Sequence, residues 1–217
     1  MMLNILYEDN HIIVVVKPSG ILSQEDITKD PDMVTMLKQY IKEKYNKPGD
    51  VYLGLVQRLD RMTSGVMVFA RTSKAASRLS DQIRNHSITK KYYAIVEGET
   101  KNIERLENYL IKDEELVKSF VTTKEKGKFA SLEYKLIKTV CHNSLIDVSL
   151  HTGRHHQIRV QMSNINHPLL GDSLYGSKFQ CNMYLHCYYL KFIHPTTKEE
   201  LVFENIPTGN LWDNFFN

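Results

Sequence analysis

Three cysteines, Cys141, Cys181 and Cys187, are all that the chain holds. The number is odd and no Cys-x-x-Cys pair occurs, which excludes a disulfide framework and a paired-cysteine zinc site and leaves free thiols. Long apolar stretches are missing as well: uninterrupted runs such as 12–16 and 66–70 reach five residues, far short of a membrane span. No charged leader precedes an apolar signal core, so a cytoplasmic location without a membrane partner is expected. Neither Gly-x-x-x-x-Gly-Lys-[Ser/Thr] nor Gly-x-Gly-x-x-Gly occurs, which removes the common nucleotide-binding fingerprints. The six prolines and ten glycines are scattered, and no repeat, linker or low-complexity tract divides the chain.

What remains is an ordinary globular composition, 42% apolar and 24% charged over 217 residues, enough for one well-buried core and hence one domain spanning 1–217. Apolar, β-branched segments fall at 5–7, 12–16, 66–70, 92–96, 129–140, 144–150, 184–193 and 201–203. Leu132, Tyr134 and Leu136 alternate with Ser131, Glu133 and Lys135, and Ile146, Val148 and Leu150 with Leu145, Asp147 and Ser149. That period of two predicts strands covered on one face, paired antiparallel through a turn at Cys141-His-Asn143.

Helices are fewer. Asp30 is expected to cap the first, with Pro31 in its first turn and Val34, Leu37 and Ile41 inward. Ser73 caps the second, with Ala76, Leu79 and Ile83 inward. The third runs over 156–166, turns Ile158, Met162 and Ile165 inward, and stops before His167-Pro168. Many strands with three interspersed helices predict the α+β class. Trp212, Phe215 and Phe216 are assigned to the core, and Tyr188, Tyr189 and Phe192 to a buried strand, with an aromatic stacking platform as the alternative.

Net charge is only +3, but it is unevenly placed. From Arg58 to Lys91 eight basic residues meet two acidic ones, whereas the rest of the chain carries 20 basic and 23 acidic residues. A basic segment on a near-neutral body is what a phosphate backbone requires, so nucleic acid is a candidate partner. Inside that segment Arg58-Leu-Asp-Arg-Met-Thr-Ser-Gly65 sets one carboxylate, Asp60, between two arginines. Flanking positive charge favours the ionised form, which suits a group that attacks or holds an electrophile; a surface ion pair or turn cap is the structural alternative.

A second constellation, Leu150-His-Thr-Gly-Arg-His-His-Gln-Ile-Arg159, runs from a strand end through a glycine turn into the third helix. The free N–H groups of a first helical turn, with Arg154, His155, His156, Gln157 and Arg159, concentrate donors suited to phosphate or carboxylate. Arg159 could equally pair with a carboxylate of the chain, Asp60 among them. His151, His155 and His156 lie close together, yet no Asp or Glu stands beside them at a helical ligand spacing, so no metal is expected.

From about Leu3 to its end the chain resembles the RluA-type family of RNA pseudouridine synthases. Tyr7-Glu-Asp-Asn, followed by 12–20 with Lys17-Pro18, is similar to the opening motif. Arg58-Leu-Asp-Arg-Met-Thr-Ser-Gly65 resembles the catalytic motif and Lys90-Lys-Tyr-Tyr-Ala-Ile-Val-Glu-Gly98 the strand after it. Thr152-Gly-Arg-His-His-Gln-Ile-Arg159 with His167-Pro-Leu-Leu-Gly-Asp172 resembles the third motif. Four motifs in order make the likeness specific.

The resemblance implies a mixed, mostly antiparallel sheet with flanking helices and a central active-site cleft. It implies that Asp60 is the catalytic aspartate, Tyr92 the tyrosine that packs on the target base, Arg159 the arginine that pairs with the aspartate, and Ile158 an apolar wall of the base pocket. Arg58, Arg61, Thr63, Ser64, Gly65, Lys90, Arg154, His156 and Gln157 are then expected to contact substrate. The reaction would isomerise a uridine of rRNA or tRNA, in a loop where the base is easily extruded, with no cofactor. A monomer lacking the small N-terminal RNA-binding module of many relatives is expected. Gln57, His155 and Gln161 depart from the usual His, Thr and His, which opens specificity. An RNA-binding or folding factor is the alternative; a nucleoside glycosidase is disfavoured because Asp60 lacks a second carboxylate nearby.

Overall fold

A computed structural model describes residues 3–216. The chain begins with β1 (Asn4–Glu8), β2 (Ile12–Lys17), α1 (Met33–Lys44), β3 (Gly54–Leu55), β4 (Ser64–Ala70) and α2 (Ser73–Arg84). There follow β5 (Thr89–Glu97), β6 (Ile103–Asp113), β7 (Lys118–Thr122), β8 (Lys128–Val140) and β9 (Asn143–Leu150). It closes with α3 (Gln157–Asn164), a 3-10 turn at Ser173–Tyr175, β10 (Leu185–Ile193), β11 (Glu200–Glu204) and α4 (Leu211–Phe216). The pairs β1–β2, β2–β4 and β10–β11, and β5–β9, β9–β8 and β8–β6, are antiparallel, in keeping with the α+β expectation.

These elements form two compact units. The first comprises the described residues up to Thr89 and Cys187–Asn205. Its strands run β1-β2-β4-β10, with β11 on β10 and β3 on β4. Ile12, Val14, Val66, Val68 and Ala70 pack with Ala75 and Leu79 of α2 and with Leu190 and Phe192. Ile13, Val15, Met67 and Phe69, on the opposite face, are equally inaccessible to water. Burial on both faces is why β2 and β4 are continuous apolar runs rather than alternating ones.

The second unit comprises Lys90–His186 and the described residues from Ile206. Its sheet order is β5-β9-β8-β6-β7. Ile95, Leu145, Leu170 and Tyr184 bury Trp212 and Phe215 of α4, while Leu110, Ala130, Val160 and Tyr175 form a second cluster. Cys141 (φ 48°) and His142 (φ 57°) make the two-residue turn between β8 and β9, and Val140 pairs with Asn143 across it. Two left-handed residues in succession give the primed turn whose twist matches that of a hairpin.

Several expectations are corrected. The cap of α1 is Asp32, whose carboxylate accepts from Thr35 N at 3.0 Å, so Asp30 and Pro31 precede the helix. Thr72, not Ser73, caps α2, accepting from Ala75 N at 3.1 Å. α3 begins after His156 and ends at Asn164, shorter at both ends than its apolar pattern. Phe216 is exposed rather than buried, although its ring meets Tyr93 edge-on at 5.0 Å. Strands β6 and β7 were not foreseen. β6 turns Glu104, Leu106, Asn108 and Leu110 to one face, and polar residues on that face hide the period of two.

Gly65 is a packing requirement of the first unit. It lies at φ +126°, and a Cβ there would sit 2.3 Å from the carbonyl oxygen of Cys187. Gly65→Ala should cost roughly 3 kcal/mol or more in urea unfolding, since backbone rather than a side chain must move. Gly209→Ala, at φ +81° with nothing within 4 Å, should cost only about 1 kcal/mol, the left-handed penalty alone. Equal losses at the two positions would refute the steric reading.

Candidate active site

Asp60 lies in the segment joining β3 to β4, half-buried between the exposed Arg58 and Arg61 and directly after the buried Leu59. Its turn is closed by Thr63 N donating to the Asp60 carbonyl at 3.0 Å. The carboxylate-bearing segment is fastened to residues 17–23 at several points. Ser23 Oγ donates to Leu59 O (2.7 Å) and accepts from Leu59 N (3.1 Å). Gly20 N donates to Arg61 O at 2.9 Å, and Ser19 Oγ to Met62 O at 2.8 Å. Arg61 returns a bond from Nε to Gly20 O (3.2 Å) and pairs with Asp30 at 2.8 Å.

At the centre of this seam is Lys17, wholly inaccessible to water at the end of β2. Its ammonium donates to Pro18 O (3.0 Å), Ile21 O (2.6 Å) and Arg61 O (3.0 Å), one acceptor for each of its three hydrogens. Burial pushes this amine down to about 7, opposed by the negative charge of Asp60. In the sequence Lys17 stands out only as part of a motif. The signal available was a lysine ending a strand that is apolar at every other position.

Thr63 and Gly65 are buried and Ser64 is half-buried. The Thr63 hydroxyl and both amide atoms of Gln57 are enclosed without a hydrogen-bond partner among the described residues. Gly65 admits the backbone of β10, as described above.

The second constellation is equally well fastened. Beyond Leu150 the chain turns over Ser131 of β8, whose carbonyl accepts from His151 N (3.1 Å), Thr152 N (3.2 Å) and Gln157 Nε2 (3.1 Å). Gln157 Oε1 accepts from Thr152 Oγ1 (2.8 Å) and Arg154 N (3.0 Å), so this buried amide shapes the turn from inside. Arg154 is exposed and donates from Nε to Phe129 O at 2.8 Å. A Cβ on Gly153 would come 3.8 Å from Lys90 Nζ, which places that lysine beside the turn. Tyr92, two residues on, is buried in β5 opposite Val148.

His156 enters α3 in the left-handed region (φ 53°), stacks on His155 at 3.8 Å, and shares a hydrogen bond with Tyr175 OH at 3.0 Å. Burial, with Arg159 nearby, pushes its imidazolium down to about 3, so the ring is neutral. Ile158 is buried two residues later. Arg159 makes two parallel bonds to Asp172, Nε to Oδ2 at 2.7 Å and Nη2 to Oδ1 at 2.8 Å, over the Tyr175 ring. Gln161, another departure, donates to Leu106 O and Asn108 Oδ1.

Lys17 carries a pH dependence. Folded, it gives up its proton near pH 7, whereas the ordinary lysine value is 10.5. The unfolded chain therefore binds more protons in that interval, and this group's contribution to stability rises with pH across it. Urea unfolding of the wild type and Lys17→Met at pH 6.5, 8 and 9.5 should show the wild type gaining on the variant at each step. A constant difference would mean that the buried amine keeps its proton throughout.

A family model described as RNA pseudouridylate synthase matches residues 11–164. Ribosomal large subunit pseudouridine synthase D of Zymomonas mobilis is 34% identical over 93% of this chain and 68% of its own length. The Borreliella burgdorferi protein of the same name is 36% identical, and the match spans 60% of its length. tRNA pseudouridine synthase C of Haemophilus influenzae is 31% identical over 92% of this chain and 91% of its own. Among solved structures, human RNA Pseudouridylate Synthase Domain Containing 4 superposes with a TM-score of 0.81 over 98% of this chain at 20% identity, a likeness of fold. The chain belongs to the RNA pseudouridylate synthase family of isomerases, in its RluA-type branch.

Proposed function

We propose that this protein converts uridine to pseudouridine in ribosomal or transfer RNA, with Asp60 as the indispensable carboxylate and Tyr92 and Arg159 as further residues on which the reaction depends. The observation that carries the reading is the Asp60 segment itself, fixed by a buried ammonium and two serines inside a family match covering 11–164. A reacting group must be held in place before substrate arrives, because misplacement of about 1 Å costs on the order of a hundredfold in rate.

The chemistry is an isomerisation, so no donor or redox partner is required. The bond from the ribose carbon to N1 breaks, the uracil turns, and the ribose carbon joins C5; the hydrogen leaves C5 and N1 gains one. A carboxylate can attack the sugar, attack the base, or remove a sugar proton, and each route needs Asp60 ionised and in place. The uridine must leave its stack at a cost of a few kcal/mol, least in a loop. Sequence relatives are named for both ribosomal and transfer RNA, so both are tested as substrates.

Mass-sensitive pseudouridine mapping of total RNA from cells lacking the protein, complemented with wild type or Asp60→Asn, tests the reading. Uridines should be modified only with the wild type. Full restoration by the Asn variant would replace catalysis with the RNA-binding alternative. Arg58 is exposed beside Asp60, and Arg58→Ala should flatten the slope of log binding constant against log salt by about 0.7, one single-strand phosphate contact. An unchanged slope would remove Arg58 from the RNA contact.

A further inference from the structure

We infer that Asp172, seated against Tyr175, is the positioning residue that fixes the Arg159 guanidinium for the reaction. The inference rests on the proposal that the reaction depends on Arg159. Asp172 is 3% exposed and Arg159 8%. The carboxylate takes the Nε–Nη2 edge of the guanidinium in two bonds of 2.7 and 2.8 Å, the planar arrangement that a carboxylate and an arginine make best. Two parallel bonds fix direction as well as distance, which a single contact cannot.

The third restraint comes from below the plane. Tyr175 presents its ring 5.0 Å from the guanidinium carbon. That ring is itself immobilised at its hydroxyl, which accepts from Ser119 N at 2.8 Å and bonds His156 Nδ1 at 3.0 Å. The Tyr175 ring also lies 5.0 Å from Lys118 Nζ, so two cations meet it while its hydroxyl stays tied to Ser119 and His156. Edge and face are thus both set within one unit, and any other anion served by Arg159 must be met from Nη1 or the second Nη2 hydrogen.

A residue present only to neutralise charge would not need this geometry. Asp172 is held by its own turn, with its N–H donating to Leu169 O at 3.0 Å and its carbonyl accepting from Tyr175 N (3.1 Å) and Ser177 N (3.1 Å). The guanidinium is therefore set by backbone that is already fixed. Asp172→Asn keeps the shape but turns one acceptor into a donor facing an N–H, so one of the two bonds is lost and the plane can swing.

The test follows tritium released from C5 of uridine in [5-³H]uridine-labelled RNA taken from cells lacking the protein, since C5 exchanges its hydrogen for the sugar carbon. Single-turnover rates at saturating protein are measured for wild type, Asp172→Asn, Arg159→Lys and the double variant, with filter binding and thermal midpoints alongside. Asp172→Asn is expected to slow release about ten- to hundredfold, the worth of one bond to a charged group, while RNA binding changes less than about threefold. The double variant should be no slower than Arg159→Lys alone by more than about twofold, because both changes act on one guanidinium. Multiplying effects, or a full rate in Asp172→Asn, would overturn the inference. If Asp172→Asn does not fold, Asp172→Glu, which keeps the charge but displaces the plane, takes its place in the same cycle. A full rate in Arg159→Lys would remove the role of Arg159 beneath it, and no release by the wild type would remove the activity as well.

Discussion

A single ammonium group cut off from water holds the carboxylate segment in shape. Lys17 reaches Arg61 O, one residue beyond Asp60, from the end of a strand buried on both faces. Moving a charge out of water is expensive, and the cost is tolerable only where each hydrogen meets an acceptor. Three carbonyls meet that requirement, and the nearby Asp60 charge adds to it. The consequence runs in both directions: the amine finds its acceptors only while the segment keeps its course, and the segment keeps its contact at Arg61 O only while the lysine is there. Ser19 and Ser23 then fasten either side of the same stretch, so Asp60 is carried on backbone with little freedom to drift.

The second unit solves a similar problem with neutral groups. A single carbonyl, Ser131 O, gathers the turn that leads into α3, and the Gln157 amide closes it. Beyond that turn, side chains of α3 are oriented by partners later in sequence, Asp172 and Tyr175. Helix, turn and 3-10 segment are coupled through buried polar contacts, whose geometry is stricter than that of an apolar core because a misaligned partner leaves an unsatisfied group.

Much of this could be read from residue order. β2 and β4 were visible because burial on both faces makes an apolar run, and β8 and β9 because one-sided cover makes alternation. Of the residues assigned to a buried strand, Tyr188 and Phe192 are buried and Tyr189 is half-buried. β6 was lost because its covered face includes Glu104 and Asn108, whose polar groups are used by Tyr134 OH and Gln161 Nε2. β7 is short and exposes Phe120 and Val121, so it offers no period to count. The caps slipped by one or two positions because good capping residues stood side by side, and only the donor each oxygen reaches decides between them. Of the site, charge in unusual company marked Asp60 and Arg159. Lys17 and Asp172 stand in the sequence only as members of motifs, and Asp172 meets its partner across 13 residues with no periodic relation.

The β8–β9 turn leaves room for adjustment elsewhere. Cys141 and His142 both occupy the left-handed region, which costs an ordinary residue about 1 to 2 kcal/mol each, where Asn-Gly would be accepted at far lower strain. The hairpin closes on pairing along two long strands rather than on its tip, so this chain holds unused thermal tolerance at a place that takes no part in gathering the Ser131 turn or the Asp60 segment. A two-residue change in that solvent-facing bend therefore raises stability without touching either.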